Sequence, residues 1–149
     1  MKNIPSRRSF IKQTALASGV LAAAPFNILS AANAGQKIRV AQIGCGGRGT
    51  SAHLAATLEE HLVAIVDVDA NRQASAQNWL QSKGQDAGKL KVFTDYRKMF
   101  DQVGKDIDAV FIATPNHHHA LPSLIAMQLG KNVFCEKPVC HDIGEARAM

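Results

Sequence analysis

The sequence predicts an α/β fold with a parallel sheet wound on both faces. Three observations carry that expectation. Strand-like apolar runs alternate with helix-like segments from Lys37 onward. A glycine-rich turn, Gly44 to Gly49, separates the first strand from the first helix. The second strand ends on an acid, Asp67. Strands alternating with helices imply right-handed βαβ units, and these require neighbouring strands to run parallel.

Lys37 to Ile43 reads as the first strand, with Ile38, Val40 and Ile43 apolar and β-branched. Thr50 to Glu60 reads as a helix with Leu54, Ala55 and Leu58 on one face. His61 to Val66 is the second strand, and its unbroken apolar run suits burial on both faces. A helix follows over Ala70 to Lys83, ended by Gly84, and Gln85 to Lys89 is a loop. Lys91 to Thr94 is a short strand, followed by a short helix near Tyr96 to Gln102. Ile107 to Ala113 is the fourth strand, broken by Thr114-Pro115-Asn116. The next helix covers about His118 to Leu129, with Leu121, Leu124, Ile125 and Leu129 on one face and Pro122 tolerated in its first turns. Asn132 to Cys135 is the fifth strand. A last helix starts near Ile143 with Asp142 as its N-cap.

The net charge of +5 is unevenly spread. Lys2, Arg7, Arg8 and Lys12 stand in a segment with no acid before Ala34, which leaves the remainder nearly neutral. With no basic stripe carrying interleaved aromatics, nucleic-acid binding is not expected. Cys45, Cys135 and Cys140 form no CxxC pair, so neither a disulfide framework nor a zinc site is expected.

Residues 1–34 read as an export signal. Ser6-Arg7-Arg8-Ser9-Phe10-Ile11-Lys12 resembles the twin-arginine motif. Thr14 to Ala24 is apolar but shorter than the roughly 20 residues a membrane span needs. Ala32-Asn33-Ala34 offers small residues at a cleavage site. The expected location is therefore the periplasm, without a stable membrane anchor. Because twin-arginine export carries folded proteins, a cofactor would be acquired before crossing.

Gly44-Cys45-Gly46-Gly47-Arg48-Gly49 fits G-x-G-x-x-G in its required context, after a strand and opening a helix. Gly44 permits the tight turn, Gly46 lets the backbone approach a pyrophosphate, and Gly49 lets the helix pack close to the strand. The helix N-terminus then presents free N–H groups to the phosphates. Arg48 either supports the phosphates or is solvated. Asp67 stands where an acid receives the ribose hydroxyls, which favours NAD over NADP, although Arg72 nearby softens that preference. The alternative for Asp67 and Asp69 is a solvated turn. These features make the fold Rossmann-type.

Two further motifs, Thr114-Pro115-Asn116-His117-His118-His119-Ala120 and Glu136-Lys137-Pro138, follow the fourth and fifth strands. With the glycine loop, in this order and spacing, the chain from Lys37 to Met149 resembles the Gfo/Idh/MocA oxidoreductases. The resemblance implies that Thr114, Pro115 and Asn116 line the nicotinamide side of the cofactor. It implies that His119 is the family's histidine and that Lys137 lies beside nicotinamide and the substrate hydroxyl. It also implies a cis peptide at Lys137-Pro138. Lysine suits this chemistry, polarising the oxygen or assisting proton transfer, and Glu136 would orient it through an ion pair. The triple histidine is not expected to bind a metal, because consecutive helical residues point about 100° apart.

The implied function is NAD(P)-dependent hydride transfer to or from a sugar or polyol, in a protein expected to be a homo-oligomer at full length. Family members carry a C-terminal substrate domain, absent here, so the sheet is expected to be incomplete at its C-terminal end and the chain a fragment. Two alternatives stand beside this reading: an NAD-dependent glycosidase of the same superfamily, and a catalytically inert nucleotide-binding module.

Overall fold

Strand propensity and apolar alternation produce five strands: β1 (Arg39–Ile43), β2 (His61–Val66), β3 (Lys91–Phe93), β4 (Ala109–Ile112) and β5 (Asn132–Cys135). In the computed structural model, which describes residues 35–149, they form one parallel sheet in the order β3-β2-β1-β4-β5. The expected export signal over residues 1–34 lies outside the described residues. No helix among the described residues is long and apolar enough to cross a membrane.

The register aligns the ends of the strands. Ile43 of β1 lies opposite Val66 of β2 and Ile112 of β4, Val66 lies opposite Phe93, and Ile112 lies opposite Cys135. One row therefore runs across the sheet at its carboxyl edge. The residues just past it are Thr94, Asp67, Gly44, Ala113 and Glu136, so motifs far apart in sequence start side by side. The chain winds outward from β1 to β3 and then crosses to β4. The strand order thus reverses between β1 and β4, where open α/β sheets bind ligands.

Alternate strand residues point to opposite faces and build two cores. On one face Ala41, Ile43, Ala64, Val66, Val110 and Ile112 pack against Met99, Phe100 and Val103 of α2 (Tyr96–Val103) and Ala126 of α3 (Ala120–Gln128). On the other, Ile65 packs with Leu54 and with Ala76 and Leu80 of α1 (Ala70–Ser82). Asp69, Asp95 and Asp142 cap α1, α2 and α4 (Ile143–Ala148) by accepting from Asn71, Arg97 and Glu145 backbone N–H groups. Such caps stabilise by roughly 1 kcal/mol each.

Two helices depart from their periodicity. The segment after the glycine loop, expected as an α-helix over Thr50 to Glu60, is π-helical over Gly49–Leu54 and then turns toward β2. Its wider winding shifts the buried face to His53, Leu54 and Thr57 and leaves Ala55 exposed. The α3 helix starts at Ala120, after a 3₁₀ turn over Asn116–His118. Its buried residues include Ala120, Ser123 and Ala126, whereas Leu121 and Leu129 are half exposed. Small side chains let the helix axis approach β4 and β5, and the Ser123 hydroxyl donates to His119 O (2.7 Å).

Candidate functional site

The glycine loop is fixed by backbone contacts. Gly44 N–H donates to Val66 O at 2.7 Å, and Gly44 adopts φ +91°. A Cβ there would lie 2.5 Å from Ala113 O, so β1 and β4 approach too closely for a side chain. A Cβ on Gly49 would collide with Gly44 O. The same carbonyl accepts from the buried Gln42 amide at 2.7 Å. Gly47, exposed at φ +46°, makes the turn.

Asp67 is buried at the end of β2, and its carboxylate faces the loop. One oxygen accepts from Cys45 N–H (2.8 Å) and the other from Asp69 N–H (2.9 Å). Its first duty is thus to brace the turn. Burial beside Asp67 pushes the Cys45 thiol up to about 12, so that thiol stays protonated and unreactive at neutral pH.

A cleft of about 480 Å³ opens at the carboxyl ends of the first four strands. Gly44, Asp67, Thr114 and Pro115 line it together, as the motifs require, and Arg72, Tyr96, His118 and Leu121 complete its walls. Asn116 is exposed at the start of the 3₁₀ turn. His117 and His118 line the cleft, but His119 turns inward and is fully buried. Its ring nitrogens lie 2.6 Å from Pro138 O and 2.7 Å from Thr114 O. The ring donates to both carbonyls when it carries both protons. His119 therefore ties the Thr114 loop to the Glu136-Lys137-Pro138 loop, in which Lys137-Pro138 is cis.

Glu136 does not pair with Lys137 as expected. Its carboxylate accepts from Arg48 Nε (3.1 Å) and meets His53 Nε2 at 3.0 Å, whereas Lys137 reaches it only through a backbone N–H at 3.4 Å. The hydrogen bond from His53, and then that from Arg48, hold the Glu136 carboxyl below its usual range. His53 is buried in a three-ring cluster with Phe111 and Phe134, at 5.5 and 5.4 Å from them. Arg48 pairs with Glu136 through Nε while most of its side chain stays exposed. Lys137 is exposed just past β5.

Sequence reasoning missed Gln42, His53 and the Tyr96–Arg97 wall of the cleft. A polar residue inside an apolar strand was the available signal for Gln42. His53 carried none, because its partner lies 83 residues away.

Fold and site together define a dinucleotide-binding domain. A family model described as the oxidoreductase family, NAD-binding Rossmann fold (GFO_IDH_MocA), matches residues 38–149, and the chain belongs to that family. A glycosyl hydrolase family 109 protein of Stenotrophomonas maltophilia is 33% identical over 138 residues, covering 87% of this chain and 29% of the relative. Levoglucosan dehydrogenase of Pseudarthrobacter phenanthrenivorans is 43% identical over 56 residues, 38% of this chain and 14% of that protein. Scyllo-inositol dehydrogenase from Lactobacillus casei, solved with NAD(H) and scyllo-inositol, superposes with a TM-score of 0.63 at 28% identity, covering 75% of this chain and 31% of that one. The chain thus spans less than a third of the length of these relatives.

Proposed function

We propose that this chain is the cofactor-binding part of an NAD-dependent oxidoreductase of sugars or polyols, exported to the periplasm by the twin-arginine route. The glycine cradle carries the cofactor half of this reading, because only glycine fits where β1 meets the Thr114 loop. Backbone N–H groups of the loop would hold the diphosphate. Asp67 would accept from the adenosine ribose as well, since a carboxylate has about four lone-pair sites and two are engaged. A carboxylate there disfavours a 2′-phosphate and so favours NAD over NADP. Thr114, Pro115 and Asn116 would lead toward the nicotinamide end. When bound, NAD supplies the hydride acceptor or donor. Lys137 would polarise the substrate oxygen or assist its proton transfer. The substrate class is suggested by the relatives' names, and the route of export by Arg7-Arg8, the apolar stretch and Ala32-Asn33-Ala34.

Calorimetric titration of the chain tests the cofactor: NAD⁺ should bind more tightly than NADP⁺, and binding of neither refutes the reading. Reduction of NAD⁺ across a panel of sugars and polyols by the full-length protein tests the reaction, and cofactor binding without any turnover favours an inert module. Replacing Arg7 and Arg8 by Lys should abolish periplasmic accumulation.

A second reading is an NAD-dependent glycosidase. The 33% identity over 138 residues to a family 109 protein favours it, as does the Gly46-Gly47-Arg48-Gly49 loop. Release of nitrophenol from aryl glycosides that requires NAD⁺ but accumulates no NADH would select this reading.

A further inference from the structure

Two buried side-chain acceptors stand without a partner among the described residues, Gln42 Oε1 and His53 Nδ1. Gln42 is 0% exposed and His53 4%, so bulk water reaches neither, and neither residue lines the cleft. A hydrogen bond left unmade in such a place costs more than a made one returns.

Their remaining atoms fix what these two are. The Gln42 amide nitrogen is directed at two carbonyls, Gly44 O at 2.7 Å and Ile43 O at 3.4 Å. Turning the amide over would set oxygen against oxygen, so Oε1 faces away from the loop. The Glu136 carboxylate, held below its usual range, accepts from His53 Nε2 at 3.0 Å. That puts the ring proton on Nε2 and leaves Nδ1 as a bare lone pair. Two acceptors cannot satisfy one another; both need a donor.

The two side chains share neighbours. Gln42 lies opposite Phe111 across β1 and β4, and the Phe111 ring centroid is 5.5 Å from that of His53. A Cβ on Gly49 would lie 3.2 Å from Gln42 Nε2, and His53 follows Gly49 within one turn of the π-helical segment. Water is the donor small enough for so enclosed a place, and it has two protons to give.

We propose that Gln42 and His53 bind one buried water between them, which donates to Oε1 and to Nδ1. It completes a polar line from Gly44 O through Gln42, the water and His53 to the Glu136 carboxylate. The line joins the glycine loop to the Lys137 loop, and Gln42 becomes a positioning residue for a loop it does not touch. The water site stands on hydrogen-bond geometry alone. Its bearing on the chemistry of Lys137 rests on the proposed function.

Three measurements on the full chain test this. A crystal structure that shows ordered water should place one water within hydrogen-bond reach of both Gln42 Oε1 and His53 Nδ1; no water there, or one that reaches a single acceptor, overturns the proposal. Nitrogen NMR of histidine-labelled chain, with His53 assigned by its loss in His53→Gln, should show Nε2 protonated and Nδ1 as a hydrogen-bonded lone pair. A protonated Nδ1 overturns the proposal, because the ring would then donate to Gln42 Oε1 itself. In Gln42→Leu the His53 Nδ1 signal should move, and amide exchange at Lys137 should quicken by about fivefold, the size expected for one neutral hydrogen bond. Changes confined to the glycine loop would make Gln42 a local brace and overturn the line to Glu136. If Gln42→Leu does not fold, the two wild-type measurements decide. A chain that shows the water and the Nε2 proton yet binds no NAD⁺ overturns the cofactor role and leaves the water site standing.

Discussion

The glycine loop and the two loops at the ends of β4 and β5 are held in different ways. The glycine loop is closed by its own backbone and by neighbours on β1 and β2: Gly44 N–H to Val66 O, Gln42 to Gly44 O, and Asp67 to Cys45 N–H. The Thr114 and Glu136 loops hang on two buried histidines that reach across the fold, His119 to Pro138 O and Thr114 O, and His53 to Glu136. The first arrangement leaves no room for a Cβ at Gly44 or Gly49. The second tolerates no lost partner. The diphosphate end of the site is therefore built by exclusion of side chains, and the Lys137 end by placement of them.

The largest expected effect tests the first half of that contrast. Gly44→Ala forces a Cβ to within 2.5 Å of Ala113 O at a positive φ. It should destabilise the chain by about 3 kcal/mol or more in urea unfolding and abolish NAD⁺ binding. Unchanged stability would show that β1 and β4 can part at the switch point. Met99→Ala, on the core face of α2 and outside the site, should cost about 2–5 kcal/mol yet leave NAD⁺ affinity intact under conditions where the variant is folded.

The second half is tested at His53. His53→Ala removes the buried partner of Glu136 and should cost about 1–3 kcal/mol. It should weaken NADH, whose nicotinamide lies toward Lys137 in the proposed reading, several-fold more than ADP. Equal weakening of both ligands would mean that His53 supports the whole domain rather than the Glu136 loop. A smaller effect follows from pH. The Glu136 carboxyl is held below its usual range by His53 and then Arg48. Its contribution is complete above the unfolded glutamate pKa of about 4.3 and is lost as the pH falls from there through the depressed folded value. Unfolding temperature should therefore drop in that window for the wild type, and less steeply for Glu136→Gln. Identical profiles would remove Glu136 from the brace. The smallest effect is expected at Lys89→Ala: its pair with Asp86 is 3.4 Å long and well exposed, so stability should move by less than about 0.5 kcal/mol.

Legibility followed the same division. The strands β2 and β5 have the bounds their apolar runs imply, and Asp142 caps α4 as expected. Gly44 and Gly49 sit where a turn and a close approach demand glycine. The α3 face was misread because periodicity marks the large apolar residues, while contact with the sheet selected Ala120, Ser123 and Ala126. The segment after the loop was misread because its π-type winding changes which residues share a face. The ion pair expected between neighbours Glu136 and Lys137 yielded to Arg48 and His53, contacts of 88 and 83 residues' separation that no local pattern encodes.

By itself the sequence determined the order of strands and helices, the glycine loop and the acid that follows it. These depend on local backbone preference, on side-chain alternation and on the absence of a Cβ, which are properties of short segments. Tertiary structure decided the rest: the alignment of five strand ends in one row, the burial of His119 and His53, and the diversion of Arg48 to Glu136 while Arg72 came to lie over Gly46. The physical reason is that a charged or polar side chain takes whichever partner the packed sheet brings within about 3 Å, and sequence neighbours need not supply it.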